Sequence, residues 1–417
     1  MTVFNLFMFV MLASLLGLSL DVANAYKVRT ELQIAADTAS HAALYNRATY
    51  TAAEATNKAL EIASFNLAGN PESGQAVKVA DVQFGTWDDE ARVFTPNAAS
   101  KSAVKVTAQR DTARGNGVSP YLLQFAGLED WDVTTTSIAE TYRPACLREG
   151  FVAEDVVDIQ SNNGFYNGFC LHSNTYISVN QNNYFEAGTV VSMPNTDNLD
   201  LPASGFTKNA GLEQALREAF YQIRIVKRIQ PMITSLLAGE TTYRPDYITS
   251  GTVINVSGKT LSTSNFTQGR IHRLTCNQGN KVTLNSGTYK NVVIISSCPV
   301  TFSNGVILED VVLGNTSTDA QSFYASQVQI GRDDTCATGG GAQLLTLGGL
   351  KVAANMQIYG GQIIAAGDVE FAANADGIEG ASIVAGGTIS GTSNMSMGLC
   401  GNGMEDNFEL DYYRIVG

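Results

Sequence analysis

The hydrophobic pattern of this chain changes period several times, and each change marks a different kind of element. Val3 to Leu20, VFNLFMFVMLASLLGLSL, carries no charge and is apolar on every side of a helix. At about 1.5 Å per residue it would be roughly 27 Å long, close to the hydrocarbon thickness of a bilayer. Asp21 ends the run, and an alanine-rich polar segment follows with no Pro or Gly before Gly69. In it Leu32, Ala35, Ala36, Ala39, Ala42, Ala43, Tyr50, Ala53, Leu60 and Ala63 recur at spacings near three, four and seven. That spacing predicts one unbroken helix to about residue 70 with a narrow seam of small side chains. Such a seam lets another helix approach closely, or packs on the chain's own domain.

From Gln75 to Glu140 the period shortens to two. Val77–Val79 and Asp81–Phe84 read as strands, Phe84–Asp89 as a turn-bearing hairpin, and Ala103–Gln109 as a strand with its valines inward. Pro120–Gly127 suits a short helix ending at Gly127, and Trp131–Ala139 a closing strand. Trp87 and Trp131 are expected as core or hairpin aromatics. Cys146–Pro202 is rich in Asn, Ser and Tyr, with narrow strands at Thr175–Val179 and Gly188–Ser192. Leu212–Leu237 returns to a helical period. Leu212, Leu216, Ala219, Phe220, Ile223, Val226 and Ile229 share a side, Pro231 kinks or divides the helix, and the whole would cover an end or a face of the β-region.

Beyond Gly251 short apolar runs recur, among them Val282–Leu284, Val292–Ile295, Val300–Phe302, Val306–Leu308, Leu350–Val352 and Val369–Phe371, separated by Gly, Asn or Ser pairs. Strands this short stack as coils of a parallel β-helix, each adding inward residues to one core. A β-sandwich, the alternative, would have longer strands. The expected fold class is α+β. A long N-terminal transmembrane and stalk helix (1–70) precedes a small α/β module (71–145). Asn-rich first rungs with an amphipathic helix follow (146–250), then a C-terminal right-handed parallel β-helix, or solenoid (251–417).

Composition sharpens this picture. Charged residues are 16% of the 417, Gly numbers 39, and the formal net charge is −13. Extensive β-structure with tight turns fits; nucleic acid as a partner does not, since no Lys/Arg cluster tracks phosphates. Six cysteines, Cys146, Cys170, Cys276, Cys298, Cys336 and Cys400, contain no CxxC and suggest disulfides in an oxidising compartment. Pairing in sequence order is expected. Lys27 and Arg29, just after the apolar run, would by charge alone keep the body in the cytoplasm. The cysteines argue the opposite and weigh more than two charges. Ala23-Asn24-Ala25 resembles a signal-peptide cleavage site, but the run is long for a cleaved leader and no basic segment precedes it.

The stretch LDVANAYKVRTELQIAADTASHAAL is similar to the N-terminal helix of TadE/TadG-like Flp (Tad) pilus-assembly proteins. The positions that carry the resemblance are Asp21, Tyr26, Arg29, Leu32, Gln33, Ala35, Ala36, Asp37 and Ala39. VQFGTWDDEARVFTP and SAVKVTAQRD extend it to about residue 140. Met1–Asn5 has neither the Gly cleavage site nor the early Glu of prepilin-like members, and the D-x-S-x-S metal site of some TadG-like proteins is absent.

The resemblance implies a single-pass protein of the bacterial inner membrane, with its body in the periplasm or on a surface pilus. Its partners would be other pilin-like or pilus-assembly subunits, and a surface glycan for the solenoid. Glu154, Asp155 and Asp158 form a small acidic cluster of the kind that can hold an ion, while Glu309 and Asp310, Arg332, Asp333 and Asp334, Asp368 and Asp376 are the carboxylate and basic groups that a solenoid enzyme would use. They form no recognisable motif and read as solvated turns. His172 stands alone, and Thr338-Gly339-Gly340-Gly341 lacks the Lys-Ser/Thr of a phosphate loop. The expectation is therefore a non-enzymatic minor pilin-like subunit, or a tip or anchoring protein, with no cofactor. A glycan-acting β-helix enzyme and a pilus-independent adhesin are the alternatives.

Overall fold

The apolar run and the first part of the alanine-rich segment form a single helix, α1 (Thr2–Arg47), in the computed structural model of the chain. The structure describes residues 2–68, 75–276, 281–371, 377–391 and 394–416. The helix does not continue to residue 70. A turn follows Arg47, and Thr51 starts a second helix, α2 (Ala52–Asn66). The cause is local. Thr51-Ala52-Ala53-Glu54 is a capping box: the Thr51 hydroxyl accepts the Glu54 N–H at 3.3 Å, and the Glu54 carboxylate accepts the Thr51 N–H at 2.9 Å.

Both helices pack on an antiparallel sheet. Its strands are β1 (Val82–Asp88), β2 (Val93–Pro96), β3 (Ala103–Arg110), β4 (Val133–Tyr142) and the C-terminal strand Tyr412–Ile415, in the order β2-β1-β3-β4 and then the C-terminal strand. Together they form one compact unit, Met1–Tyr142 with Asp411–Gly417. Its core joins Ala39, Ala43, Leu44, Ala55, Ala59 and Ala63 from the helices to Val82, Phe84, Val104 and Val106 from the sheet.

Two local expectations change here. Phe84–Asp88 lie within β1, and the chain reverses after them, where the Asp88 carboxylate accepts the N–H groups of Glu90 and Ala91. Gly85 serves close approach rather than a turn, since a Cβ there would meet the Thr95 carbonyl oxygen at 2.3 Å. Val77–Val79 is not a strand. Asp81 accepts the Lys78 N–H at 2.7 Å and folds Val79–Asp81 into a 3-10 turn.

The second unit, Arg143–Leu410, is inserted between β4 and the C-terminal strand. It holds a 23-stranded sheet whose named strand pairings are all parallel. One column of pairs shows its order: Val282 beside Val300, then Phe323, Leu350, Val369, Ile389, Val157 and Ile177. The stack is not in sequence order. The chain begins mid-stack at Gly150–Ala153 and builds outward to Leu216–Glu218. It then crosses over and restarts at the opposite end with Val253–Ser257. From there it returns until Ile378–Ala385 pairs with Gly150–Ala153. A continuous apolar core runs through the layers, from Leu261 through Phe302, Phe323 and Phe371 to Phe151 and Phe185.

The helix expected over Leu212–Leu237 is much shorter. Leu212–Ala215 is a single turn, Leu216–Glu218 is a strand beside Val191–Met193, and the helix spans Ile229–Leu237. Parallel pairing to an existing sheet edge overrides the helical period. Pro231 falls in the first turn, where its missing N–H breaks no helical bond. Ile223, Ile225, Ile229, Met232, Ile233 and Leu236 cover an apolar outer face built from Ile271, Val293, Ile295, Val312, Leu345, Ile364, Val384 and Val152.

Candidate functional site

The residues that carry the family resemblance separate into two groups once folded. Leu32, Ala35, Ala36 and Ala39 are fully buried against the chain's own sheet. Gln33 donates to Asp37 at 2.8 Å and to the Thr136 carbonyl at 3.4 Å, and the hydroxyls of Ser40 and Ser137 meet at 2.9 Å. Tyr26 and Arg29 point to solvent. The small seam is thus the helix–sheet interface of this unit. Tyr50 and Ala53 are exposed, and Ala42 and Leu60 are half-buried.

Asp21 is the exception among polar residues near the apolar run. It is 1% exposed, and its carboxylate accepts the backbone N–H groups of Tyr121 at 2.5 Å, Leu122 at 3.1 Å and Leu123 at 2.8 Å. Burial alone would raise its pKa. The bonds from Leu123, Tyr121 and Leu122 outweigh burial and hold the carboxyl below its usual range. The Leu123–Ala126 turn that it caps ends at Gly127, where φ is 83° and glycine is favoured.

In the second unit the cysteines pair as Cys146–Cys170, Cys276–Cys298 and Cys336–Cys400, with Cα separations of 5.0, 6.1 and 5.6 Å. The first and second each join neighbouring layers. Glu379 lies beside the third pair, whose sulfurs are already bonded to each other.

The carboxylates singled out in the sequence are mostly engaged in local bonds. Glu154 accepts from Asn174 at 2.7 Å, and Glu309 pairs with Lys290 at 3.1 Å. Asp310, at φ 51°, accepts the Gly340 N–H at 2.6 Å; Arg332 pairs with Asp334 at 2.5 Å; Asp368 accepts the Thr388 N–H at 2.8 Å. Asp155 receives the Ser173 hydroxyl on its backbone carbonyl. Asp333 is exposed, outside any helix or strand. Asp376 lies outside the described residues. His172 is fully buried, its ring nitrogens 2.8 Å from the Ser192 hydroxyl and 2.9 Å from Asn174 Oδ1, its ring 4.1 Å from that of Tyr221. Desolvation pulls its pKa below the usual value.

One arrangement could not be read from the sequence. Along one column of strand segments the residue beside or between inward apolar side chains faces outward, and register aligns these residues in one row: Thr260, Thr283, Thr301, Tyr324, Lys351, Glu370, Ser390, Asp158, Ser178 and Asp200. At about 4.8 Å between strands the row is roughly 43 Å long. Lys351 and Glu370 pair at 2.7 Å, and Ser178 donates to Asp200 at 3.0 Å. Burial, with the nearby charge of Asp200, raises the Asp158 carboxyl. An open polar groove at one end is lined by Lys259, Lys281, Asp319, Gln321, Tyr324 and Lys351. The only signal in the sequence was the repeated apolar–polar–apolar triplet. Which triplets become neighbours depends on the stacking order.

Comparison with known proteins divides the chain the same way. Residues 1–54 match the family described as putative Flp pilus-assembly TadE/G-like, and residues 34–139 match putative Tad-like Flp pilus-assembly. The N-terminal third therefore resembles Tad/Flp pilus-assembly proteins. No curated protein matches the chain. Among solved structures, the crystal structure of an ice binding protein from an Antarctic Biological Consortium aligns at 11% identity and a TM-score of 0.26. The alignment covers 62% of this chain and 90% of that one. Residues 150–401, more than half of the sequence, match a domain of unknown function, and the chain belongs to that family, DUF7867.

Proposed function

We propose that this protein is a non-enzymatic, single-pass membrane component of a Tad pilus-assembly system, and that its second unit is a parallel β-helix carried outside the inner membrane. The observation that carries the reading is the continuity of α1. Among the described side chains, the large apolar residues from Val3 to Leu20 are exposed, and the same helix then packs into the sheet of a Tad-like unit. Exposed apolar surface of this length is stable only in lipid or against other apolar helices. Purely parallel ladders, short strands and one running core support the β-helix.

Burial of Leu32, Ala35, Ala36, Ala39 and Ala43 favours an anchoring role over insertion into a filament, because the seam a neighbouring helix would use is already occupied. A non-enzymatic role is supported by Glu309, Glu370 and Asp334, each paired with a cation, and by Asp310 and Asp368, each holding a backbone N–H.

The full-length protein is expected in the membrane fraction, resistant to high-salt and carbonate extraction. A chain lacking residues 2–20 is expected in the soluble fraction. Deleting the gene should reduce surface pili. Normal piliation in the deletion strain, or a soluble full-length protein, would overturn the reading.

A further inference from the structure

Within the N-terminal unit, the segment between β3 and β4 makes a closed excursion. Val118 and Trp131 bond each other's backbone in both directions at 2.9 Å, so residues 119–130 leave and rejoin the sheet at one point. The excursion carries four exposed apolar side chains: Tyr121 at 56%, Leu122 at 43%, Phe125 at 85% and Leu128 at 48%. Phe125 projects from the Leu123–Ala126 turn, and the acidic Glu129 and Asp130 follow soon after. Ser119 holds Asp130 at 2.7 Å. A tip this apolar, next to charged residues, is costly in water and suits a boundary between oil and water.

Three contacts fix where that tip lies. Asp21, the first residue after the apolar run, holds the N–H groups of Tyr121, Leu122 and Leu123. One helical turn further into the run, Gly17 lies against Leu122. A Cβ at residue 17 would stand 3.1 Å from the Leu122 Cβ, so the missing side chain lets the loop come this near. The Tyr121 hydroxyl meets Asn24 at 3.5 Å on the other side of Asp21. The excursion is therefore level with the last turn of the helix segment that is long enough to cross a bilayer. Trp and Tyr concentrate at that depth in membrane proteins.

We propose that residues 119–130 form a second membrane contact, in which Tyr121, Leu122, Phe125 and Leu128 enter the headgroup–acyl boundary of the same bilayer that α1 crosses. The proposal rests on the anchor reading of α1. A lone helix leaves the attached unit free to tilt and swivel. A second contact on one side of the helix fixes the orientation of this unit on the membrane. Asp21 then has a stated task, which is to hold the loop at the interface.

The test uses the full-length protein reconstituted into vesicles of phosphatidylethanolamine and phosphatidylglycerol. Single cysteines at Phe125→Cys, Leu12→Cys and Glu90→Cys are spin-labelled. Among the described residues all native cysteines are in disulfides, so the label is selective. Phe125 is exposed, so the substitution disturbs no packing. Collision with oxygen and with a water-soluble nickel chelate reports depth. The Phe125→Cys label should show a several-fold lower ratio of nickel to oxygen collisions than the Glu90→Cys label on the β1–β2 turn, and should approach the Leu12→Cys label. A Phe125→Cys ratio equal to that of Glu90→Cys, with Leu12→Cys in lipid, overturns the loop contact and leaves the anchor intact. A Leu12→Cys label open to nickel overturns the anchor, and the loop contact with it.

Discussion

Asp21 shows how one side chain links regions of the chain a hundred residues apart. In sequence it only marks where the apolar run stops. Folded, it is buried and takes three backbone N–H groups, from Tyr121, Leu122 and Leu123. Its carboxyl is held below the usual range, so its contribution to stability is present above the unfolded-state pKa, about 4. That contribution is lost as pH falls through the lower folded value. Protection of the Tyr121, Leu122 and Leu123 amides, taken relative to their intrinsic exchange rates at each pH, should therefore be high at neutral pH and fall only in acid. Asp21→Ala should expose all three at neutral pH. Asp21→Asn, which keeps an acceptor oxygen without the charge, should give intermediate protection that no longer depends on pH. Protection in Asp21→Ala equal to that of the native protein would refute the assignment.

At the scale of elements, strong local patterns were legible and positions decided by distant partners were not. The valine strand Ala103–Gln109, the strand from Trp131, the Gly127 stop and the short runs beyond Gly251 appear close to where the period placed them. The break at Thr51 was also written in the chain, as T-x-x-E, but the unbroken alanine spacing masked it. Leu216–Glu218 could not be read as a strand, because its reason for being one is the exposed edge of Val191–Met193. The alanine seam of α1 is the sharpest case. Its spacing allowed either a neighbouring helix or the chain's own sheet, and only burial separates the two. This gives a test. Ala39 has no exposed surface and sits between α1 and the sheet. Ala39→Leu should push the helix outward and destabilise the unit by about 1–3 kcal/mol, the usual cost of overpacking. Ile34→Ala, on the exposed face of the same helix, should change stability by less than about 0.5 kcal/mol. Thermal unfolding of the two variants decides it. An Ala39→Leu variant as stable as Ile34→Ala would return the seam to the partner-facing reading.

At the scale of the whole molecule, the order of the stack matters more than its composition. In a solenoid that stacks in sequence order, removing the last coil exposes one end and leaves the rest standing, because each layer touches only its neighbours. Here the layer closed by Ile378–Ala385 lies in the middle. It pairs with residues 358–365 of the long strand Leu350–Ala365 on one side and with Gly150–Ala153 on the other. Loss of that layer would therefore open two edges inside the core, beside Ile363 and beside Phe151, both fully buried in the intact unit. A chain ending at Gly377 should lose the protease resistance of the whole second unit, including residues 253–371, which keep every pairing among themselves. Cys336→Ala with Cys400→Ala in the full-length chain separates loss of the layer from loss of the disulfide that the truncation also removes. That double variant should stay resistant, at lower thermal stability. Limited proteolysis with mass mapping of the fragments reads both outcomes. A stable 253–371 core in the truncated chain would show that the layers stand independently and that closing the stack onto Gly150–Ala153 is not what holds the unit together.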